Sequence, residues 1–144
     1  MTVNVDTYVL PEDSNSFLSE VLPTSNPLRV AWEVLTVEEK EGYLAAAVRR
    51  LENLNYKGER VRYYQALKFP RITRNIPPLF DTAPSEIKRA QVYWAAEIMK
   101  EELFEKRRNV EACNAMGIVF QEKKEVPKLI YDLLNRWLTS WRKI

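Results

Sequence analysis

Between Lys57 and Arg74 the chain sets Lys57, Arg60, Arg62, Lys68, Arg71 and Arg74 against Glu59 alone, a local charge of +5. Tyr63, Tyr64 and Phe69 are interleaved with these cations. Cations that neutralise phosphate, alternating with rings that stack on unpaired bases, are how sequence-tolerant single-strand binders are built. A competing assignment uses the same residues for packing, with Tyr64, Leu67 and Phe69 turned onto the core and the cations left in water. A mixed arrangement sends the aromatics inward and presents guanidiniums to neighbours or to DNA.

No other cluster has comparable chemical potential. Glu97, Glu101, Glu102 and Glu105 have the i, i+4 spacing of a carboxylate metal site. Lys100, Lys106, Arg107 and Arg108 sit among them, which predicts a solvated, salt-bridged face instead. The chain has no histidine and one cysteine, Cys113, read as an inert thiol. Zinc sites of the usual kind and Ser–His or Cys–His nucleophiles are thereby excluded within one chain, and a reducing compartment fits. Its glycines, Gly42, Gly58 and Gly117, are too scattered for a phosphate-cradling loop. The expectation is a protein with no cofactor, no metal and no catalytic residues, and not an enzyme. Catalysis by carboxylates alone is the formal remainder.

These residues must be positioned by 144 residues, a length that favours one domain over 1–144 and suffices for a real core. No apolar run approaches the roughly 20 residues of a membrane span, and no secretory leader opens the chain. Charge is segregated: residues 1–41 carry −6, residues 42–74 carry +6 and residues 75–144 carry +2. That pattern fits neighbouring regions of one monomer, or copies meeting head to tail.

Val3, Val5, Thr7 and Val9 alternate like a short strand. Helices are predicted over Pro11–Leu22 and Leu28–Leu35, separated by the rigid turn Pro23–Pro27. Thr36 and Glu39 form a capping box for a helix over Val37–Asn55, with Leu44, Ala47, Val48, Leu51 and Leu54 on its apolar stripe. Glu59–Pro78 reads as an extended, ordered connection, with Leu67 and Phe69 inward. A second long helix runs from Pro84 to about Arg108, and Met116, Ile118 and Phe120 signal a short strand. From Pro127 onward, Ile130, Leu133, Leu134, Trp137, Leu138 and Trp141 predict a final amphipathic helix. The fold class is mainly α, a small helical bundle with one short β element.

The order of these features resembles the tailed-bacteriophage head–tail adaptor, or head completion, family, including members labelled DnaT-like single-stranded-DNA-binding proteins. Tyr8 precedes a short acidic helix, and Trp32 precedes a helix ending Arg49-Arg50-Leu51-Glu52. Tyr56-Lys57-Gly58, Gln65-Ala66-Leu67-Lys68-Phe69-Pro70-Arg71, Ile76-Pro77 and Glu86-Ile87-Lys88-Arg89-Ala90-Gln91 follow in turn. Met116-Gly117-Ile118-Val119-Phe120 precedes Leu133-Leu134. The resemblance covers nearly the whole chain. Its most specific parts are Gln65–Arg71 and Lys88–Gln91. The Pro23–Pro27 turn, the prolines of Asn75–Ala83 and the Cys113–Gly117 linker depart from it.

The resemblance implies a structural connector: a subunit of a homo-oligomeric ring, a dodecamer, beneath the portal protein of a DNA-filled capsid. Such a ring extends the channel for viral double-stranded DNA and docks the next neck or tail completion protein. Its location is the virion neck, with assembly in the host cytoplasm. Arg60, Arg62, Arg71 and Arg74 would then face the channel or a neighbouring subunit. The 127–144 helix would dock the portal through Trp141, Arg142 and Lys143, where a large ring close to the end of the chain is left exposed unless a partner covers it. The alternative function is a single-stranded nucleic-acid-binding module, resting on Lys57–Arg74.

Overall fold

A computed structural model describes residues 1–77, 79–115 and 126–139. Among these residues five helices occur in chain order: α1 Pro11–Ser19, α2 Pro27–Glu33, α3 Val37–Glu52, α4 Ser85–Ala115 and α5 Lys128–Leu134. A two-stranded antiparallel sheet, β1 Glu59–Arg60 with β2 Arg71–Ile72, lies between α3 and α4. The fold is a small, mainly α bundle, as its apolar periodicity predicts.

Local signals explain the helix starts. Pro11 and Pro27 open α1 and α2, where a missing N–H costs nothing. The Asn26 side chain caps α2 by accepting from the Leu28 N–H at 2.9 Å. Thr36 and Glu39 form the expected capping box on α3. Packing supplies the rest. α4 is the central helix, flanked by α1, α2, α3 and α5. Between Ile87 and Met99 it is therefore buried over most of its circumference, through Ala90, Gln91, Val92, Trp94, Ala95, Ala96 and Ile98. From α3 come Leu44, Ala47, Val48 and Leu51, each large apolar side chain contributing about 1.5–3 kcal/mol on burial.

Gln91 is buried among these apolar groups with its carboxamide satisfied. Its Oε1 accepts from the Tyr8 N–H at 3.0 Å, and its Nε2 donates to Thr7 Oγ1 at 2.7 Å and to the Leu44 carbonyl at 3.2 Å. An unpaired amide there would be costly, so the segment before α1 must lie against α4.

Several sequence expectations are corrected. Residues 3–9 are not a strand: Asn4 takes φ 64°, and Val5 and Asp6 both donate to the Thr2 carbonyl, so the chain reverses. The connection over 59–78 carries the β-hairpin, whose strands are two residues each. α1 and α3 stop earlier than predicted, and α4 runs on to Ala115.

The last helix is shorter than its apolar stripe. After Leu134 a turn keeps the Trp137 and Leu138 N–H groups on the Leu134 carbonyl, and the chain then pairs with the segment after α3: Trp137 accepts from the Lys57 N–H at 2.7 Å and Thr139 donates to the Asn55 carbonyl at 3.1 Å. Trp137 and Leu138 are nevertheless buried. The predicted strand around Met116–Phe120, the Cys113 side chain and the predicted docking residues Trp141, Arg142 and Lys143 lie outside the described residues.

Candidate nucleic-acid interface

The basic segment is rooted at the C-terminal end of α3. There the Glu52 carboxylate accepts from the Tyr8 hydroxyl and, at 2.9 Å, from the Lys68 N–H. The Tyr8 oxygen in turn accepts from the Phe69 N–H at 3.2 Å. Burial, and then the adjacent Glu52 charge, push the Tyr8 hydroxyl far above its ordinary range, so it stays a donor. Phe69 fills the space behind this network. Tyr8, Tyr56 and Trp137 meet its ring edge-on, with centroids at 6.1, 4.8 and 5.1 Å.

Ahead of that root, residues 61–70 close on themselves around Gln65. Its Nε2 donates to the carbonyls of Leu67 and Pro70, both at 2.9 Å, and its Oε1 accepts from the Arg62 N–H at 3.0 Å. Leu67 and Phe69 point inward, as predicted. Tyr64, which one reading placed in the core, does not. Tyr63 and Tyr64 stand at the outer turn, 92% and 71% exposed, as an edge-to-face pair with centroids 5.4 Å apart.

The cations divide into two sets. Arg71 is held by backbone: Nε donates to the Lys57 carbonyl at 3.0 Å, Nη1 to Lys68 at 3.2 Å and Nη2 to Gly58 at 2.5 Å. Burial, and then Arg60 opposite it in the sheet, lower the Arg71 pKa. Arg62 donates to the Phe80 carbonyl at 2.9 Å and to Asp81 at 3.1 Å. Lys68 donates to the Leu54 carbonyl at 2.9 Å. By contrast, Lys57, Arg60 and Arg74 are exposed, and none of the three ion pairs with a carboxylate among the described residues.

Arg60, Arg62, Arg71 and Arg74 are thus close in sequence but different in role. Arg62 and Arg71 build the loop, while Arg60, in β1, and Arg74, just after β2, are exposed and make no ion pair with a carboxylate among the described residues. Backbone carbonyls engage Arg71 and part of Arg62, and these acceptors have no residue signature, so sequence could not separate the two sets. Two of the α4 glutamates are also engaged structurally. Tyr93 donates to Glu97 at 2.9 Å and Arg50 pairs with Glu101 at 3.4 Å. No group able to hold a metal ion occurs among the described residues, and no helix there is long and apolar enough to cross a membrane.

An exposed aromatic pair on a hairpin that also carries exposed cations without carboxylate partners is the kind of surface on which bases can stack and phosphates can be neutralised. The comparison with protein families points the same way. A family model described as "Putative DnaT-like ssDNA binding protein" matches residues 1–139. No curated protein and no solved structure matches the chain. The matched family is not a head–tail adaptor family, which corrects the adaptor resemblance. The portal protein, the neck or tail completion protein, the self-assembled ring and viral duplex DNA fall with it as partners. Trp141, Arg142 and Lys143 lie beyond the matched residues as well.

Proposed function

This chain belongs to that DnaT-like ssDNA binding family, and we propose that it binds unpaired DNA through the Tyr63–Tyr64 turn and the exposed cations of the same hairpin. The observation that carries this reading is the outward edge-to-face tyrosine pair on a loop whose every other large side chain is anchored. One ring offers its face to a base while the other supports it from the side. Base–aromatic stacking contributes about 1–3 kcal/mol per base and tolerates any sequence.

Arg60, Arg74 and Lys57 supply the charge that the strand's phosphates need. A duplex keeps its base faces stacked inside and cannot use the tyrosines, so the site favours single strands. The protein acts here as a binding module with no reaction of its own. The test is fluorescence anisotropy of a labelled oligothymidylate against the wild type and the double variant Tyr63→Ala, Tyr64→Ala. Both rings are exposed, so the variant keeps its fold while its affinity falls at least about fivefold. Unchanged affinity in a folded variant overturns the assignment.

A further inference from the structure

We propose that Phe80 is a second base-stacking platform, and that the strand this protein takes is an internal unpaired stretch crossing two loops. A single flipped base or a terminal nucleotide would reach only one of them. The inference rests on the strand-binding reading above and extends it to a residue on the segment before α4.

Phe80 is 52% exposed, and Leu79 beside it is also exposed. The segment is not short of inward positions: Ile76 and Ala83, on either side, are both buried. The Phe80 ring makes no ring contact among the described residues. A phenylalanine left outward between two buried positions is an apolar face without an intramolecular use.

Arg62 determines where that face stands. Its Nη1 donates to the Phe80 carbonyl at 2.9 Å, and its Nη2 donates to Asp81 Oδ1 at 3.1 Å. Asn4 also holds this segment, donating Nδ2 to the Asp81 carbonyl at 3.2 Å. Arg62 immediately precedes Tyr63, and its own N–H is fixed by Gln65. The backbones of Tyr63 and Phe80 are therefore joined through one arginine side chain and one hydrogen bond. The tyrosine pair and Phe80 ride on two loops fastened to the same guanidinium, which sets their separation before any strand arrives.

The clamp also assigns the charges. Arg62 is already paired with Asp81, whose carboxylate is 89% exposed and repels phosphate. The strand's phosphates are left to Arg60 and Arg74, and the bases to the rings. An oligonucleotide too short to bridge the loops gains from one platform only. A longer one gains from both, so affinity must rise in two steps as the strand lengthens.

The experiment is anisotropy with labelled oligothymidylates of increasing length, from a dinucleotide upward, at fixed salt. It compares the wild type, Phe80→Ala, Arg62→Gln and the double variant Tyr63→Ala, Tyr64→Ala, each checked for fold by circular dichroism. The wild type should show both steps. Phe80→Ala should keep the first and lose the second, binding long oligonucleotides at least about fivefold more weakly. Arg62→Gln should also lose the second step while keeping the salt slope of the wild type. The tyrosine variant should weaken at every length. If Phe80→Ala binds long strands like the wild type while the tyrosine variant is weakened, the second platform is wrong and strand binding by the tyrosines survives. If the tyrosine variant is unchanged as well, the binding reading itself fails. A reduced salt slope in Arg62→Gln shows that Arg62 holds phosphate, and it overturns the clamp.

Discussion

The Tyr8 hydroxyl donates to the Glu52 carboxylate across 44 residues of chain, and the same oxygen accepts the N–H of Phe69. One buried contact thus joins the segment before α1, the end of α3 and the root of the basic loop. Tyr8→Phe keeps the ring and removes the oxygen. The Phe69 N–H is then buried without an acceptor and Glu52 loses a donor, a cost of about 1–3 kcal/mol. Urea denaturation should show a lower midpoint with an unchanged slope. A midpoint equal to the wild type's would mean that water replaces the hydroxyl and that the contact does not hold the loop.

How much of this was legible in the sequence depended on the kind of interaction. The Thr36–Glu39 capping box and the inward placement of Leu44, Ala47, Val48 and Leu51 on α3 follow from side chains at fixed spacing, and both are present. The inward placement of Leu67 and Phe69 was legible too. The β-hairpin was not, because two-residue strands show no alternation. The end of α5 was hidden by a stripe that continues through Trp137 and Leu138, although their backbone has left the helix. Phe80 was missed because a lone aromatic among prolines has no period to mark it. Its tie to the tyrosine loop runs through Arg62, eighteen residues earlier in the chain, and no local pattern marks such a bond to a backbone carbonyl.

The two ends of α4 and α5 are tied by Glu86. Its carboxylate accepts from Arg136 Nε at 2.5 Å, from Arg136 Nη2 at 3.0 Å and from Trp137 Nε1 at 2.9 Å. Burial pushes the Glu86 carboxyl up, but the bonds from Arg136 and Trp137 outweigh it and hold it below the ordinary carboxylate range. The unfolded chain therefore takes up this proton at a higher pH than the folded protein does. The stabilisation is complete above the unfolded value and is lost as pH falls through the folded one. Urea midpoints should decline as the solution is acidified below the ordinary glutamate value, and Glu86→Gln should flatten part of that decline. An identical acid profile in the variant would remove Glu86 from the account.

Gly58 and Gly42 make a matched pair. Gly58 has φ +78°, and a Cβ there would lie 2.0 Å from the Ile72 carbonyl oxygen, inside the hairpin. Gly58→Ala should cost at least about 1 kcal/mol. It should also weaken strand binding, because the Gly58 carbonyl is one of the three that hold Arg71. Gly42 lies within α3 with open space where a Cβ would go. Gly42→Ala should stabilise by roughly 0.5–1 kcal/mol through helix propensity and leave binding alone. Thermal melts of both variants check the contrast, and equal shifts would mean that the hairpin is not a tight fit.

Salt dependence separates the free arginines from the engaged ones. Each phosphate contacted on a single strand contributes about −0.7 to the slope of log affinity against log salt. Arg60 and Arg74 have no carboxylate partner among the described residues and are exposed, so Arg60→Gln with Arg74→Gln should make the slope shallower by about 1.4. Folding should be untouched, since neither side chain anchors the loop. Arg71→Gln should behave in the opposite way. It strips three carbonyls of their donors, so it should lower the urea midpoint and loosen the turn that carries Tyr63 and Tyr64. Its binding loss should then appear at every salt concentration, with a slope near that of the wild type. Affinity titrations over a range of salt, run beside denaturation of each variant, distinguish the two behaviours. A wild-type slope in the Arg60, Arg74 double variant would show that the strand's phosphates are held elsewhere on the protein.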